Sequence, residues 1–284
     1  MSHFYDCKKK VAILSQSTTP PQARKANHYP SVTTILGILK SDFVDNIWKP
    51  RKIVELAREN PSLEASAISD LTYGQYPHPE TREMIPSSEF GTQVHARIEE
   101  LVLAMRDGFG VDYNAFNDWA EPFLVWLEDN NVEVLNAEEV VYSHRMRIAG
   151  SVDFIGEKDG KIFLADYKCR SCKGTGKGKF YDKDCSQLSI ESWMYARMYG
   201  LDYLPAVRSI CIDVDSKEHI HKEWSELDMY KGILRAKLLA TIYWMDWMNE
   251  DVGKLKCEKM EIINDEIAMT CQILNDLKEV NNEQ

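Results

Sequence analysis

Two apolar runs of strand length, RIAGSVDFIG at 147–156 and KIFLADYK at 161–168, flank the dipeptide Asp159-Gly160. Asp-Gly between such runs favours a two-residue type I′ turn, because both turn positions then need φ above zero. That turn sets residue 158 against 161 and, counting back along the ladder, Asp153 against Asp166. Opposed side chains share a face with Cβ atoms about 5 Å apart, and two like charges there are destabilising unless something neutralises them. A four-residue turn would set Asp153 against Leu164 but leave Asp166 as its diagonal neighbour on the same face. Asp is depleted in strands, so two facing each other in an apolar hairpin are unusual, although spacing alone still favours ordinary solvent-facing strand residues over a metal-dependent site.

Lys168 lies two residues beyond Asp166 and projects to the same side, so the strand ADYK presents a carboxylate and an ammonium together. Hard carboxylate oxygens suit Mg2+, with Mn2+ as a substitute, because magnesium keeps several waters and binds through one or two carboxylates plus substrate phosphate. Such an ion activates water and polarises a phosphodiester, while Lys168 positions the water or stabilises the developing charge. The competing reading is that Lys168 simply pairs with one aspartate on a solvated strand.

The rest of the chain supplies an α/β setting. Val94, Ile98, Leu101, Val102 and Met105 recur at helical spacing over 90–105, and Phe116, Trp119, Ala120, Phe123 and Leu127 do so over 113–129. Strands are expected at 138–144, 147–156, 161–168 and 206–214, and helices at 185–199, 226–248 and 256–279. PSVTTILGILK and DFVDNIWKPRKIVELAREN read as helical until Asn60-Pro61 stops them, and 61–88 reads as a long irregular connection. Residues 1–28 read as a poorly specified arm, and 29–284 as one domain with a central mixed sheet flanked by helices. The tryptophans and tyrosine of YWMDW at 243–247 sit at helical spacing and read as core rather than as a base-stacking platform.

Charge qualifies any reading that involves nucleic acid. A formal charge of −11 repels phosphate overall, so nucleic acid requires a local basic patch. Residues 158–183 supply one, with Lys158, Lys161, Lys168, Arg170, Lys173, Lys177, Lys179 and Lys183 outnumbering the acids. Lys173, Lys177 and Lys179, in a Gly-rich loop, are candidates for phosphate contacts. The acidic remainder offers a docking surface for a protein partner. The seven cysteines are an odd number, which argues against a disulfide framework. Absence of a long apolar run and of a signal-peptide pattern leads to the expectation of a cytoplasmic protein, in a bacterial or phage-infected cell, with no membrane association.

At this point the chain resembles a known group: GSVDFIGEKDGKIFLADYK is similar to the G-x-x-D and (D/E)-x-K signature of RecB-like PD-(D/E)XK nucleases. GTQVHARIEE resembles the helix that precedes it in that group, whose histidine joins the metal site, and this assigns His95 beside Asp153 and Asp166 as a metal ligand. QLSIESWMY resembles the helix after the lysine, whose glutamine approaches substrate, and this assigns Gln187. YPSVTTIL, with Trp48-Lys49 downstream, resembles the N-terminal part of mitochondrial genome-maintenance exonucleases and their phage relatives. That likeness assigns Ser31 and Thr33 to nucleic-acid contact. The resemblance implies a restriction-endonuclease-like core and a magnesium-dependent deoxyribonuclease acting from DNA ends with single-strand preference, in replication, recombination or repair.

The chain departs from that pattern at Glu191, where tyrosine often stands four residues after the glutamine; Tyr195 comes four later. A lone helical histidine is more often packed than ligating, and Glu99, one turn beyond His95, either orients it or is a solvated charge. The alternative to an enzyme is a catalytically silent nucleic-acid-binding or protein-docking module on the same fold. A third reading takes Cys169, Cys172 and Cys185 as ligands of zinc or an iron–sulfur cluster, although no fourth ligand is evident. GTGKGK lacks the full phosphate-loop pattern.

Overall fold

The structure is a computed structural model that describes residues 4–13, 20–38, 49–72, 74–173 and 176–247, together with 265, 268, 269, 271 and 272. The N-terminal part holds β1 (Phe4–Asp6), β2 (Val11–Ile13), α1 (Pro20–Lys25), β3 (Tyr29–Pro30), α2 (Val32–Leu36), α3 (Lys49–Glu59), α4 (Ala65–Thr72), β4 (Gln75–Pro77) and β5 (Met84–Pro86). Two helices, α5 (Ser87–Asp107) and α6 (Asn117–Asp129), precede the three-strand run β6 (Glu133–Ser143), β7 (Ile148–Lys158) and β8 (Lys161–Arg170). Then come α7 (Asp182–Tyr199), β9 (Ala206–Asp213), β10 (His219–Glu223) and α8 (Glu226–Trp247).

The central sheet has the order β10-β9-β8-β7-β6 and is mixed, since β8 pairs with β9 in parallel and every other pair is antiparallel. Asp159 and Gly160 take φ of 54° and 74°, the left-handed pair that a two-residue type I′ turn requires. The turn sets the register expected from the sequence, with Lys158 opposite Lys161 and Phe154 opposite Ala165. Beyond Phe154–Ala165 the β7–β8 ladder ends, and β8 continues beside β9, where Asp166 pairs with Ser209 and Lys168 with Cys211. The functional geometry lies in this divergence.

Helices cover both faces. On one, α5 and α6 pack Phe90, Val94, Ile98, Phe116 and Phe123 against Phe154, Phe163, Ala165, Tyr167 and Ile210. On the other, α7, α8 and α2 pack Leu188, Met194, Ile233 and Ile35 against Val152, Ile155, Leu164 and Val207. Ser186, Ser189 and Ser192 of α7 are fully buried. A Cβ on Gly232 of α8 would lie 3.0 Å from the Ser186 Cα, so small residues are what let α8 close onto α7.

Several boundaries differ from the sequence reading. Residues 4–13, read as part of an unspecified arm, form a hairpin whose first strand pairs with β3, and Phe4 is 1% exposed. A three-residue strand has too little period to register as a pattern. The stretch 61–88 contains α4 and the β4–β5 hairpin rather than irregular chain alone. Tyr243 and Trp244 belong to the core. The helix expected over 256–279, and Trp48, lie largely or wholly outside the described residues. Among the described residues no helix is long and apolar enough to cross a membrane.

Candidate metal centre and active site

Where β7 and β8 part, the Asp153 carboxylate takes over from the backbone. Its Oδ2 accepts the Tyr167 N–H at 3.0 Å and lies 3.4 Å from the His95 Nδ1. His95 stands beside the buried stripe of α5, and its ring meets Tyr167 edge-on with centroids 5.6 Å apart. Burial lowers the His95 pKa, with the Lys168 charge helping and Asp153 opposing. A neutral imidazole is the form that binds metal.

Glu138 enters from β6. Ala137 pairs with Phe154 and Glu139 with Val152, so Glu138 falls opposite Asp153, with φ of 51°. Its Oε2 accepts from the Ser151 hydroxyl at 2.8 Å. Glu138 stands at the open mouth of the site, yet loss of water around its carboxyl, followed by the Asp153 charge, lifts its pKa to about 7. His95, Glu138 and Asp153 each offer one ligand atom, and these atoms lie within 4.8 Å of one another. Two carboxylates and an imidazole fit a divalent cation, with room for waters.

Asp166 is 2% exposed. Its Oδ1 accepts from Lys168 Nζ at 2.5 Å and from Gln187 Nε2 at 3.3 Å, whereas its Oδ2 is buried with no hydrogen-bond partner among the described residues. Burial raises the Asp166 pKa to about 7 against the pull of Lys168. Burial works against the Lys168 ammonium too, but Asp166 and Asp153 outweigh it and hold its pKa above the ordinary value. A buried carboxylate oxygen without a partner is costly unless a ligand completes it.

Gln187 and Glu191 descend from α7 one turn apart. Glu191 is 2% exposed, its Oε2 has no hydrogen-bond partner among the described residues, and burial followed by Asp166 and Asp153 holds its pKa well above the usual range. It fits only because residue 150 is glycine: a Cβ there would lie 2.5 Å from Glu191 Oε1. The helix is pinned to β8 by Arg170, whose two terminal nitrogens each meet an Asp184 oxygen at 2.8 Å, while Asp184 caps the helix through the Tyr181 N–H.

The structure therefore brings Asp153, Asp166, Lys168, His95 and Gln187 together at one place. Three acids that the sequence reading left out or left unassigned join them or lie within their field: Glu138, Glu191 and Glu99, whose pKa rises through burial and the Asp153 charge. Tyr5 is a fourth addition. Burial raises its pKa, followed by the charges of Glu191, Glu138 and Asp153, so it too lies within their field. The acid pair Glu138-Glu139 in an apolar strand was the signal for the first; nothing local marked Tyr5.

Other candidates sit elsewhere. Ser31 is buried and caps α2, accepting the Thr34 N–H at 3.0 Å and bonding to the Thr33 hydroxyl at 2.9 Å, and Thr33 is exposed. Lys173, Lys177 and Lys179 are exposed in the loop between β8 and α7, with the Lys179 ammonium donating to the Ser171 carbonyl. The cysteines are divided: Cys172 Sγ lies 3.5 Å from Cys211 Sγ, while Cys185 bonds to Ser189 and the Asp228 carbonyl between α7 and α8. Among the described residues, no metal-capable group of three includes a cysteine.

No protein-family model matches the chain, and no curated protein matches it. Among solved structures it is similar to one titled "Crystal structure of SSO0001", at 17% identity over 80% of this chain and 89% of that one, with a TM-score of 0.32.

Proposed function

We propose that this chain is a divalent-metal-dependent deoxyribonuclease with a restriction-endonuclease-like core, of the RecB-like PD-(D/E)XK kind. One observation carries the reading: Asp153, Asp166 and Lys168 converge with His95 and Glu138 where the hairpin ladder ends, leaving a buried Asp166 oxygen unpartnered. That donor set fits Mg2+ or Mn2+. Such an ion, when bound, neutralises the carboxylates, polarises a phosphodiester oxygen and lowers the pKa of a water.

The protein's own groups divide the remaining work. Lys168, held 2.5 Å from Asp166 and part-exposed at 31%, aims a fixed positive charge at the phosphate and the water that attacks it. Gln187 holds Asp166 from the other side, and its approach to substrate rests on the resemblance. His95 lies 3.4 Å from Asp153, and His95 and Glu138 add an imidazole nitrogen and a carboxylate oxygen to the ligand set. Tyr167, through its N–H, locks the Asp153 rotamer. Action from DNA ends, preference for single strands and a place in replication, recombination or repair rest on the resemblance alone.

The test is digestion of end-labelled single-stranded, double-stranded and circular DNA with Mg2+ or Mn2+, comparing wild type with Lys168→Ala and Asp166→Ala. Degradation of linear DNA, survival of circles and two dead variants support an exonuclease. Wild-type protein that cuts nothing under either metal sinks the enzyme and leaves the silent binding or docking module.

A further inference from the structure

Along β6, past Glu138, the fold carries a feature that the metal-capable site does not use. A cavity of about 420 Å3 opens between the β6–β7 turn, the last turns of α7 and the β1–β2 turn, walled by Lys10, Tyr142, His144, Arg145, Arg197 and Tyr199. Among the described residues that line it none is an acid, in a chain whose net charge is −11. Lys10, His144, Arg145, Arg197 and Tyr199 are all exposed. The positive charge is therefore concentrated against the overall field, and it is interleaved with aromatic rings.

Those rings are held in place. Tyr142 and His144 lie 4.8 Å apart, and Tyr199 packs on Tyr195 at 4.5 Å. The Tyr29 hydroxyl bonds to the His144 Nδ1 at 2.9 Å, and the Tyr199 hydroxyl donates to Glu139, the neighbour of Glu138. Arg197 stands 5.5 Å from the Trp193 ring. Cations alongside pre-set aromatic faces are the arrangement that single-stranded nucleic acid requires, with phosphates meeting the cations and unpaired bases stacking on the rings.

We propose that this groove binds the backbone and bases of a single DNA strand whose scissile phosphate lies at the carboxylate site; the inference rests on the nuclease reading. Strand β6 links the two places. Four residues separate Glu138 from Tyr142, which at a rise of roughly 3.3 Å per residue is about 13 Å. A stacked strand rises about 3.4 Å per nucleotide, so the groove takes the strand about four nucleotides from the cut. A binding track is thereby assigned to the hairpin turn at 143–147 and the end of α7, besides the lysine loop at 173–179.

The experiment is fluorescence anisotropy with a labelled oligothymidylate of about 20 nucleotides, longer than the roughly 4–16-nucleotide footprints of single-strand binding folds. Titrations are run in EDTA, to prevent cleavage, over a series of salt concentrations. Wild type is compared with Lys10→Ala/Arg145→Ala/Arg197→Ala and with the single Arg197→Ala, each checked by thermal melting. Removal of three phosphate contacts at about 0.7 each flattens the slope of log K against log salt by about 2, and weakens binding roughly 10–100-fold near 0.1 M salt. The single variant flattens it by about 0.7. If wild type binds and both folded variants keep its affinity and slope, the groove is not the track, while the nuclease reading stands. Wild-type protein that binds no oligonucleotide also overturns the groove, and the digestion assay with Mg2+ or Mn2+ decides the nuclease reading separately.

Discussion

Gly150→Ala tests whether Glu191 occupies the site as described. In β7 the added methyl would lie 2.5 Å from Glu191 Oε1, 3.0 Å from its Cγ and 3.1 Å from its Cδ. Glu191 is 2% exposed and flanked by Asp153 and Asp166, so it has little room to swing away. Overpacking of this kind costs about 1–3 kcal/mol. Without Glu191 the sign reverses, because alanine in a strand interior is favoured over glycine by roughly 0.5–1 kcal/mol. A cycle of Gly150→Ala, Glu191→Ala and the double variant, followed by urea denaturation, should therefore show a coupling of about 2–4 kcal/mol. Equal effects of Gly150→Ala in both backgrounds would refute the placement of Glu191 against Gly150, and with it the claim that a glycine in β7 makes room for an acid from α7.

Glu138→Gln and His95→Ala should each weaken Mn2+ binding at least about tenfold in a calorimetric titration, and unchanged affinity in both would remove them from the metal site. The metal-free protein should lose stability as pH rises from about 6.5 to 8. Asp166 and Glu138, lifted to about 7, hold protons in the folded state that the unfolded chain has already released. The buried His219 and His221, lowered to about 4, and His95, also lowered by burial, act in the opposite sense until the unfolded imidazoles have released their protons by about pH 7.5, and offset part of that loss. A urea midpoint that rises between pH 6.5 and 8, or that fails to recover with Mn2+, contradicts the assignment. Arg170→Ala should cost about 2–3 kcal/mol, since it strands the largely buried Asp184 carboxylate. Turnover of the proposed nuclease should also fall, as α7 no longer holds Gln187 against Asp166; a variant with wild-type stability and turnover would show that the fork holds nothing in place.

How much of this was legible beforehand depends on the range of the interaction. The turn at Asp159-Gly160 and the β7–β8 register as far as Phe154–Ala165 follow from local chemistry, a dipeptide suited to positive φ and a period of two, whereas the expected direct pairing of Asp153 with Asp166 falls one step past the end of that ladder. The stripes of α5 and α6 and the core role of Tyr243 and Trp244 follow equally from helical spacing. Such features need only the chain's own immediate neighbourhood.

The rest depended on contacts distant in sequence. Tyr5 comes within the field of the carboxylates because β1 pairs with β3, through a few backbone hydrogen bonds that leave no side-chain pattern. Glu138 meets Asp153 only after a register shift within β6, and such a shift changes which face every later side chain takes. Glu191 looked like a lapse from a motif until Gly150, 41 positions earlier, proved to be its counterpart. The hairpin determined by sequence supplies the chemistry, and tertiary structure decides which further carboxylates share it, because burial and proximity arise only once separate elements pack.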